Sequence, residues 1–149
     1  YGNDSLSLQG LMNASGSYHI KMKDWNQGEN AFINVAEGIS HLFSAGCQGR
    51  KALVVSPDLY LALQRLQQSA GMLESDRIKK LIDGHILPLG DFGTGKAVLV
   101  CAEPEYMDLA LGMDFSIGYS EMKDFNHVFR LMETAALRIK NPEAIVVFE

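Results

Sequence analysis

The chain has few basic residues, no long apolar run and little cysteine, and each shortage argues against a class of protein. Its 149 residues include 13 Lys and Arg against 18 Asp and Glu, which gives a net charge of −5. A nucleic-acid-binding protein needs a basic surface, so composition argues against that class. No apolar run reaches the roughly 18 residues of a membrane span, which argues against a membrane protein.

The cysteines and histidines are too few and too scattered to suggest a redox or metal centre. Cys47 and Cys101 form a lone pair in an acidic chain, which favours reduced thiols and a cytoplasmic location. No histidine lies three to five positions from another histidine or a cysteine, the spacing that zinc sites use. We therefore predict neither a metal nor a cofactor.

Three amphipathic stretches predict helices. Apolar residues recur at helical spacing over 32–43, and Gly46 follows as a C′ cap, which predicts the longest helix. A second helix is predicted over 56–68, with Leu66 at the end of its buried stripe. A short break separates it from a third helix over 75–84.

Most of the remaining chain predicts short strands. The candidate strands are "YHIKMK", "KALVV", "HILPL", "KAVLVCA", "YMDLALG" and "FSIGY". We interpret the last two as separate strands around Gly112-Met113-Asp114. Together with the helices, this order predicts an α+β domain in which helices pack on a mixed sheet.

Two segments near the end of the chain are predicted to form strands. Residues 127–140 fit both a helix and a strand, and the polar residues that fall together on one side favour one long strand. Residues 144–148 are all apolar, and an apolar β-prone run at a chain end must be paired in a sheet. We therefore predict a final strand.

The only candidates for chemistry are a glycine-rich loop and one thiol. The loop from Gly90 to Lys96 matches a phosphate-binding pattern, but Ala97 stands where a hydroxyl would hold magnesium. The residues after it fit a strand, whereas a phosphate loop must open a helix, so we interpret it as a hairpin loop. Cys47 is a possible nucleophile, although a packed thiol is the favoured interpretation. An enzyme or ligand-binding domain that uses this loop or Cys47 is the alternative function.

Four stretches and their order resemble the encapsulins. They are "YGNDSLSLQGLMN" at the start, "KALVVSPDLYLALQRL" after the first long helix, "GMDFSIGY", and "VFRLMETAALRIKNPEAIVVFE" at the end. The resemblance runs over essentially all 149 residues. Encapsulins, also filed under the linocin bacteriocin name, are shell proteins with the major capsid fold of tailed phages. The resemblance therefore implies that fold, and a self-assembling shell subunit that encloses cargo enzymes and is not itself an enzyme.

The resemblance also implies a division of the chain. Residues 25–118 would form the A-domain, and residues 1–24 and 119–149 would contribute to the peripheral P-domain. The closing strand would then pair partly with segments earlier in a parent chain. In the family, a loop between the two central A-domain helices surrounds the five-fold pore, which implies a ring with Glu74 as a negative rim. The implied pore-lining residues are Ser69, Ala70, Gly71, Met72 and Leu73.

Some encapsulin elements are missing from these residues. The family carries an inner-face helix, an interlocking E-loop and a spine helix toward the N-terminus, so we expect them in a longer parent protein. Without the E-loop, residues 1–149 alone are not expected to form closed cages. Cargo in the family docks through a C-terminal targeting peptide, partly against the missing helix, so we assign no cargo-binding residues. The implied partners are further copies of the chain and a cargo protein, with neither nucleic acid nor membrane, in a cytoplasmic nanocompartment.

Overall fold

The fold, described from a computed structural model, covers residues 2, 3, 5, 7–67 and 71–149. The helices of this part of the chain are α1 (Asn30–Ser44), α2 (Pro57–Leu63) and α3 (Glu74–Ile82). Its strands are β1 (Tyr18–Ile20), β2 (Lys51–Val55), β3 (Leu66–Gln67), β4 (Met72–Leu73), β5 (His85–Pro88), β6 (Ala97–Cys101), β7 (Met107–Lys123), β8 (Asn126–Ile139) and β9 (Ile145–Phe148). The α+β prediction is confirmed.

The central layer is a mixed sheet in the order β1-β9-β6-β2-β5. Pairs β1–β9 and β2–β5 are parallel, whereas β2–β6 and β6–β9 are antiparallel. The closing strand β9 is fully buried in this sheet, with both of its edges paired within the chain. The expectation that it needs neighbours from earlier in a parent chain is therefore wrong, because β1 supplies the second edge.

Helix α1 confirms the prediction for residues 32–43 and ends as its sequence indicates. Gly46 has a φ of +74°, its N–H donates to the Phe43 carbonyl at 3.0 Å, and the Cys47 N–H donates to Leu42 at 2.8 Å. These two bonds form a Schellman cap. Gly38 lets the helix approach the sheet closely, because a Cβ there would lie 3.1 Å from the Phe148 ring.

Helix α2 is shorter than predicted. It starts after Ser56 with Pro57 at its first turn, as expected, but it ends at Leu63. Leu66 lies in β3 with 63% of its surface exposed, so its predicted place on a buried helical stripe is wrong. The physical reason is non-local: the Arg65 guanidinium bonds to the carbonyls of Ala62 and Trp25, which turns the chain away from the helix axis.

Strands β7 and β8 form a separate two-stranded ribbon. The prediction of two strands around Gly112-Met113-Asp114 is wrong, since β7 runs through these residues, and register shifts near them keep it paired with β8. The strand interpretation of residues 127–140 is confirmed. The ribbon turns at Asp124-Phe125, both with positive φ, as a two-residue type I′ hairpin requires.

The loop from Gly90 to Lys96 is not a hairpin loop. Strands β5 and β6 pair with opposite edges of β2, so the loop carries the chain across β2. It contains a 3-10 turn at Gly90–Phe92, and Phe92 packs into the core on one side of the sheet. On the other side, α1 and α3 cover the sheet around Trp25 and Phe148. No helix of the described residues is long and apolar enough to cross a membrane.

Candidate functional sites: an apolar ribbon face and an anchored loop

The β7–β8 ribbon presents a row of exposed apolar side chains. Cross-strand partners share a face, and the register pairs Ile117 with Leu131 and Tyr119 with Phe129. Ile117 and Leu131 are each 63% exposed although they are typical core residues. Other large apolar residues exposed on the ribbon are Leu109, Leu111, Met113, Phe115, Met122, Phe125, Val128 and Met132. We call the side that carries Ile117, Tyr119, Phe129 and Leu131 the apolar ribbon face.

The base of the ribbon is fixed by ion pairs at one carboxylate. Arg138 donates from Nε and Nη2 to the two Asp108 oxygens at 2.9 and 2.6 Å, and Lys140 Nζ lies 2.7 Å from Asp108 Oδ2. The bonds from Arg138 and then Lys140 hold the Asp108 pKa well below its ordinary value and raise that of Arg138. This cluster stabilises the base but leaves the rest of the ribbon uncovered.

An isolated two-stranded ribbon is marginally stable in water, and a soluble monomer rarely exposes so continuous an apolar patch. At the tip, Phe125 is 97% exposed, so the other described residues leave its ring uncovered. Near the base, a largely apolar groove of about 670 Å³ lies between residues 8–12, the sheet and the ribbon. Leu11, Val98 and Leu137 are among its lining residues. These features together fit a surface that another polypeptide covers.

The loop predicted to line a pore lies between β3 and β4. Ser69 and Ala70 lie outside the described residues, so their predicted position stays a prediction. Gly71 is exposed with a φ of +63°, while Met72 and Leu73 are half-buried in β4 and pair with β3. The described residues on either side of the loop therefore form a short antiparallel pair, β3 with β4.

Glu74 does not form an exposed rim. It is 0% exposed, and its Oε1 accepts a hydrogen bond from the Phe32 backbone N–H at 3.4 Å. The expectation that Glu74 adds a negative rim to the pore is therefore wrong. The reason is again non-local: Phe32 lies in the first turn of α1, where backbone N–H groups have no partner within the helix and attract a carboxylate.

The glycine-rich loop is occupied by a carboxylate. The Gly95 N–H, which would face a phosphate, donates to Asp58 Oδ2 at 2.9 Å, and the Lys96 N–H donates to Ser56 Oγ at 3.3 Å. The Ser56 hydroxyl and the Gly95 N–H lower the Asp58 pKa, so this carboxylate is ionised at neutral pH. A negative group in that position opposes anion binding. The loop also leads into β6 rather than a helix, as the sequence indicates.

Cys47 is a packed thiol. Its side chain is fully buried behind α1, and burial is the main cause that raises its pKa. A nucleophilic cysteine needs the opposite, a lowered pKa and access to solvent. Cys101 is likewise buried, and its Sγ donates to the Gln48 carbonyl at 3.0 Å. Among the described residues, no group of three or more His, Cys, Asp or Glu side chains is placed to hold a metal ion.

Sequence reasoning missed Asn34, which organises the core at the start of α1. Asn34 is fully buried, and its Oδ1 accepts hydrogen bonds from the Lys23 N–H at 2.9 Å and the Trp25 indole N–H at 3.1 Å. Its amide also donates to the Lys21 carbonyl at 3.4 Å. The available signal was a lone amide beside the apolar stripe of an amphipathic helix.

Known proteins similar to this chain include shell and capsid proteins. Residues 1–136 match the family model described as an encapsulating protein for peroxidase. A diheme-cytochrome-encapsulin shell fusion protein of Kuenenia stuttgartiensis is 36% identical over 99% of this chain, which covers 41% of that protein. The type 1 encapsulin shell protein EncA of Myxococcus xanthus is 34% identical over 100% of the chain, which covers 52% of that protein.

Solved structures show the same fold at lower identity. A virus-like particle from Pyrococcus furiosus has a TM-score of 0.84 and 23% identity, over 98% of this chain and 62% of that one. The capsid of Myoviridae phage XM1 has a TM-score of 0.75 and 14% identity, over 93% of this chain and 52% of that one. The predicted capsid-like fold is confirmed. The chain spans about half the length of the curated relatives it matches.

Proposed function

The chain belongs to the encapsulin family, and on that premise we propose that it is part of a subunit that assembles with further copies into a closed protein shell around cargo. The observation that carries this proposal is the apolar ribbon face, which contains core-type residues such as Ile117 and Leu131 in an uncovered position. Burying such a face stabilises an assembly, whereas a free monomer gains nothing from it. In the proposed shell, neighbouring copies and the rest of the same subunit cover it.

The domain division and the pore loop are proposed from the resemblance to the encapsulin family. Residues 25–118 would be the A-domain, and residues 1–24 and 119–149 would contribute to the P-domain. The exposed ribbon supports a peripheral lobe, while β1 and β9 also join the central sheet. The turn between β3 and β4, predicted to include Ser69–Leu73, would surround a five-fold opening. Because Glu74 is buried, the size of that opening and its backbone groups, rather than a Glu74 rim, would control passage.

Cargo and location are proposed on the same ground. The cargo would be an enzyme that carries a C-terminal targeting peptide, the shell would lie in the cytoplasm, and the shell protein would supply enclosure rather than catalysis. The packed thiol of Cys47 and the Asp58 carboxylate in the glycine-rich loop agree with a structural role.

Negative-stain microscopy of the full-length parent protein tests the proposal. We expect closed particles of uniform size. The variant to compare is a parent with Ile117→Asp and Leu131→Asp, which places two charges on the apolar ribbon face. It should form no particles while its secondary structure stays intact. Uniform monomers of the unmodified parent at high protein concentration would contradict the proposal.

A further inference from the structure

One acidic residue, Glu133, interrupts the run of apolar residues on one side of β8. Alternate residues of a strand share a face, so Glu133 lies on the same side as Leu131, a member of the apolar ribbon face. A register shift of β7 places Asp114 and Phe115 opposite Glu133, and neither side chain neutralises a carboxylate. The Glu133 side chain is exposed and forms no hydrogen bond or ion pair with another described residue. Covering an unpaired carboxylate is costly, so a surface that covers this face must bring a positive charge to Glu133.

The tip of the ribbon carries an exposed aromatic ring beside an unpaired cation. Phe125 is 97% exposed, and its φ of +63° is one that a bulky residue adopts only at an energetic cost. Asp124 before it also has a positive φ, and such a turn favours Asp-Gly or Asn-Gly. The ring therefore destabilises the isolated turn. Lys123 is exposed, and its ammonium group has no partner in the part of the chain that the structure describes.

The tip and Glu133 cannot meet within one chain. Glu133 follows Phe125 along β8, and a strand rises about 3.3 Å per residue, so roughly 25 Å separate them. A paired ribbon cannot bend its tip back onto its own face over that distance. The matching groups can meet only when they lie on different copies. Each copy can then donate one tip and receive another, which suits a closed assembly of identical subunits.

We propose that the apolar ribbon face receives the ribbon tip of a second copy. There the Phe125 ring packs against Leu131. The Lys123 ammonium pairs with Glu133, and this complementary charge fixes where along the face the tip settles. Leu131 and Glu133 are neighbours on one side of β8, as Lys123 and Phe125 are neighbours at the tip, so both contacts form together. The inference rests on the proposed shell function and adds to it the chemistry of one contact between copies.

A zero-length carbodiimide crosslink identifies the occupant of the face. Particles of the full-length protein are assembled from a mixture of isotope-labelled and unlabelled subunits and then treated with the reagent. We expect an amide between Lys123 and Glu133 that joins a labelled peptide to an unlabelled one, which requires two copies. A crosslink from Glu133 to a different lysine instead would assign another occupant and overturn the proposal.

Exchanging the two charges tests whether they act as a pair. Lys123→Glu and Glu133→Lys should each raise the protein concentration needed for assembly about tenfold or more, and the two together should return it to within about threefold of the unmodified protein. The matched control combines Glu133→Lys with Lys80→Glu, which restores the net charge at an exposed lysine of α3 and should not rescue assembly. Equal assembly of the exchanged pair and this control would overturn the pairing.

Phe125→Gly separates the contact from any role of the ring in folding. The change produces an Asp-Gly pair, which a type I′ turn favours, so the ribbon should fold at least as well. Sedimentation velocity of the full-length variant should still show assembly only at about tenfold higher concentration or more. Unchanged assembly of Phe125→Gly would overturn the contact and leave the proposed shell function standing. Failure of the unmodified protein to assemble would refute the shell function, and this contact with it.

Discussion

The apolar ribbon face gives the most demanding prediction. Ile117 and Leu131 lie opposite each other on it, each 63% exposed. Fully burying a side chain of this size contributes about 1.5–3 kcal/mol, so covering the exposed part contributes about 1–2 kcal/mol each, or about 2–4 kcal/mol for the pair. Replacing both with serine should raise the protein concentration needed for assembly by about 30- to 700-fold.

The assay is sedimentation velocity of the full-length protein over a range of concentrations, with circular dichroism as a check on folding. Met132→Ser is the matched control, because Met132 is the strand neighbour of Leu131 and pairs with Ser116 on the opposite face. The control should assemble at nearly the same concentration as the unmodified protein. If the folded double-serine variant also does so, the apolar ribbon face does not drive assembly and the reasoning fails.

Three further predictions follow from buried or paired polar groups in the full-length protein. Asn34→Ala leaves two donors without an acceptor and should destabilise the fold by about 2–4 kcal/mol, measured by denaturant unfolding. The matched control Glu37→Ala, at an exposed position of the same helix, should change the stability little. Burial raises the pKa of both Cys47 and Cys101 from the ordinary value of 9.0. The contribution of these thiols to stability is therefore complete below about pH 9 and should fall as the pH rises further. Thiol reagents should label both cysteines slowly until the protein unfolds. Asp108→Asn should speed amide exchange at the ribbon base, and equal exchange in the variant and the unmodified protein would contradict the role of Asp108. In the unmodified protein, the ion pairs of Asp108 with Arg138 and Lys140 should weaken only as the pH falls below 3.8, because the Asp108 pKa is lowered.

The elements predicted correctly are those that local sequence specifies. Helix α1 carries an apolar stripe of helical period, and Gly46 supplies the left-handed residue that its cap requires. Strands β2 and β6 are short, largely apolar runs bounded by turn residues. The alternation in residues 127–140 similarly indicated β8. In each case the pattern that forms the element lies within the element.

The errors have a common cause, which is contact with distant residues. Leu66 fits the stripe of α2, but Arg65 bonds to the carbonyl of Trp25 and ends the helix early. Glu74 has the position of an exposed first-turn acid, but the entry to α1 lies over it. The pairing of β9 with β1 joins the two ends of the chain, and no local pattern specifies it.

The same limit applies to the candidate sites. The alternation of β8 shows which side chains share a face, but whether that face is covered depends on polypeptide outside these residues. The resemblance to the encapsulins supplied the fold and an assembly role that composition alone did not indicate. It placed Glu74 on a pore rim, and the structure corrects this because burial depends on the local packing of this chain.

In the proposed shell, assembly covers the apolar ribbon face. Oxidative footprinting of the full-length protein, compared between dissociated subunits and intact particles, measures this directly at Leu131 and Phe129. We expect the modification of both side chains to fall at least severalfold on assembly. Equal modification in particles and free subunits, or the failure of any particle to form, would contradict the account.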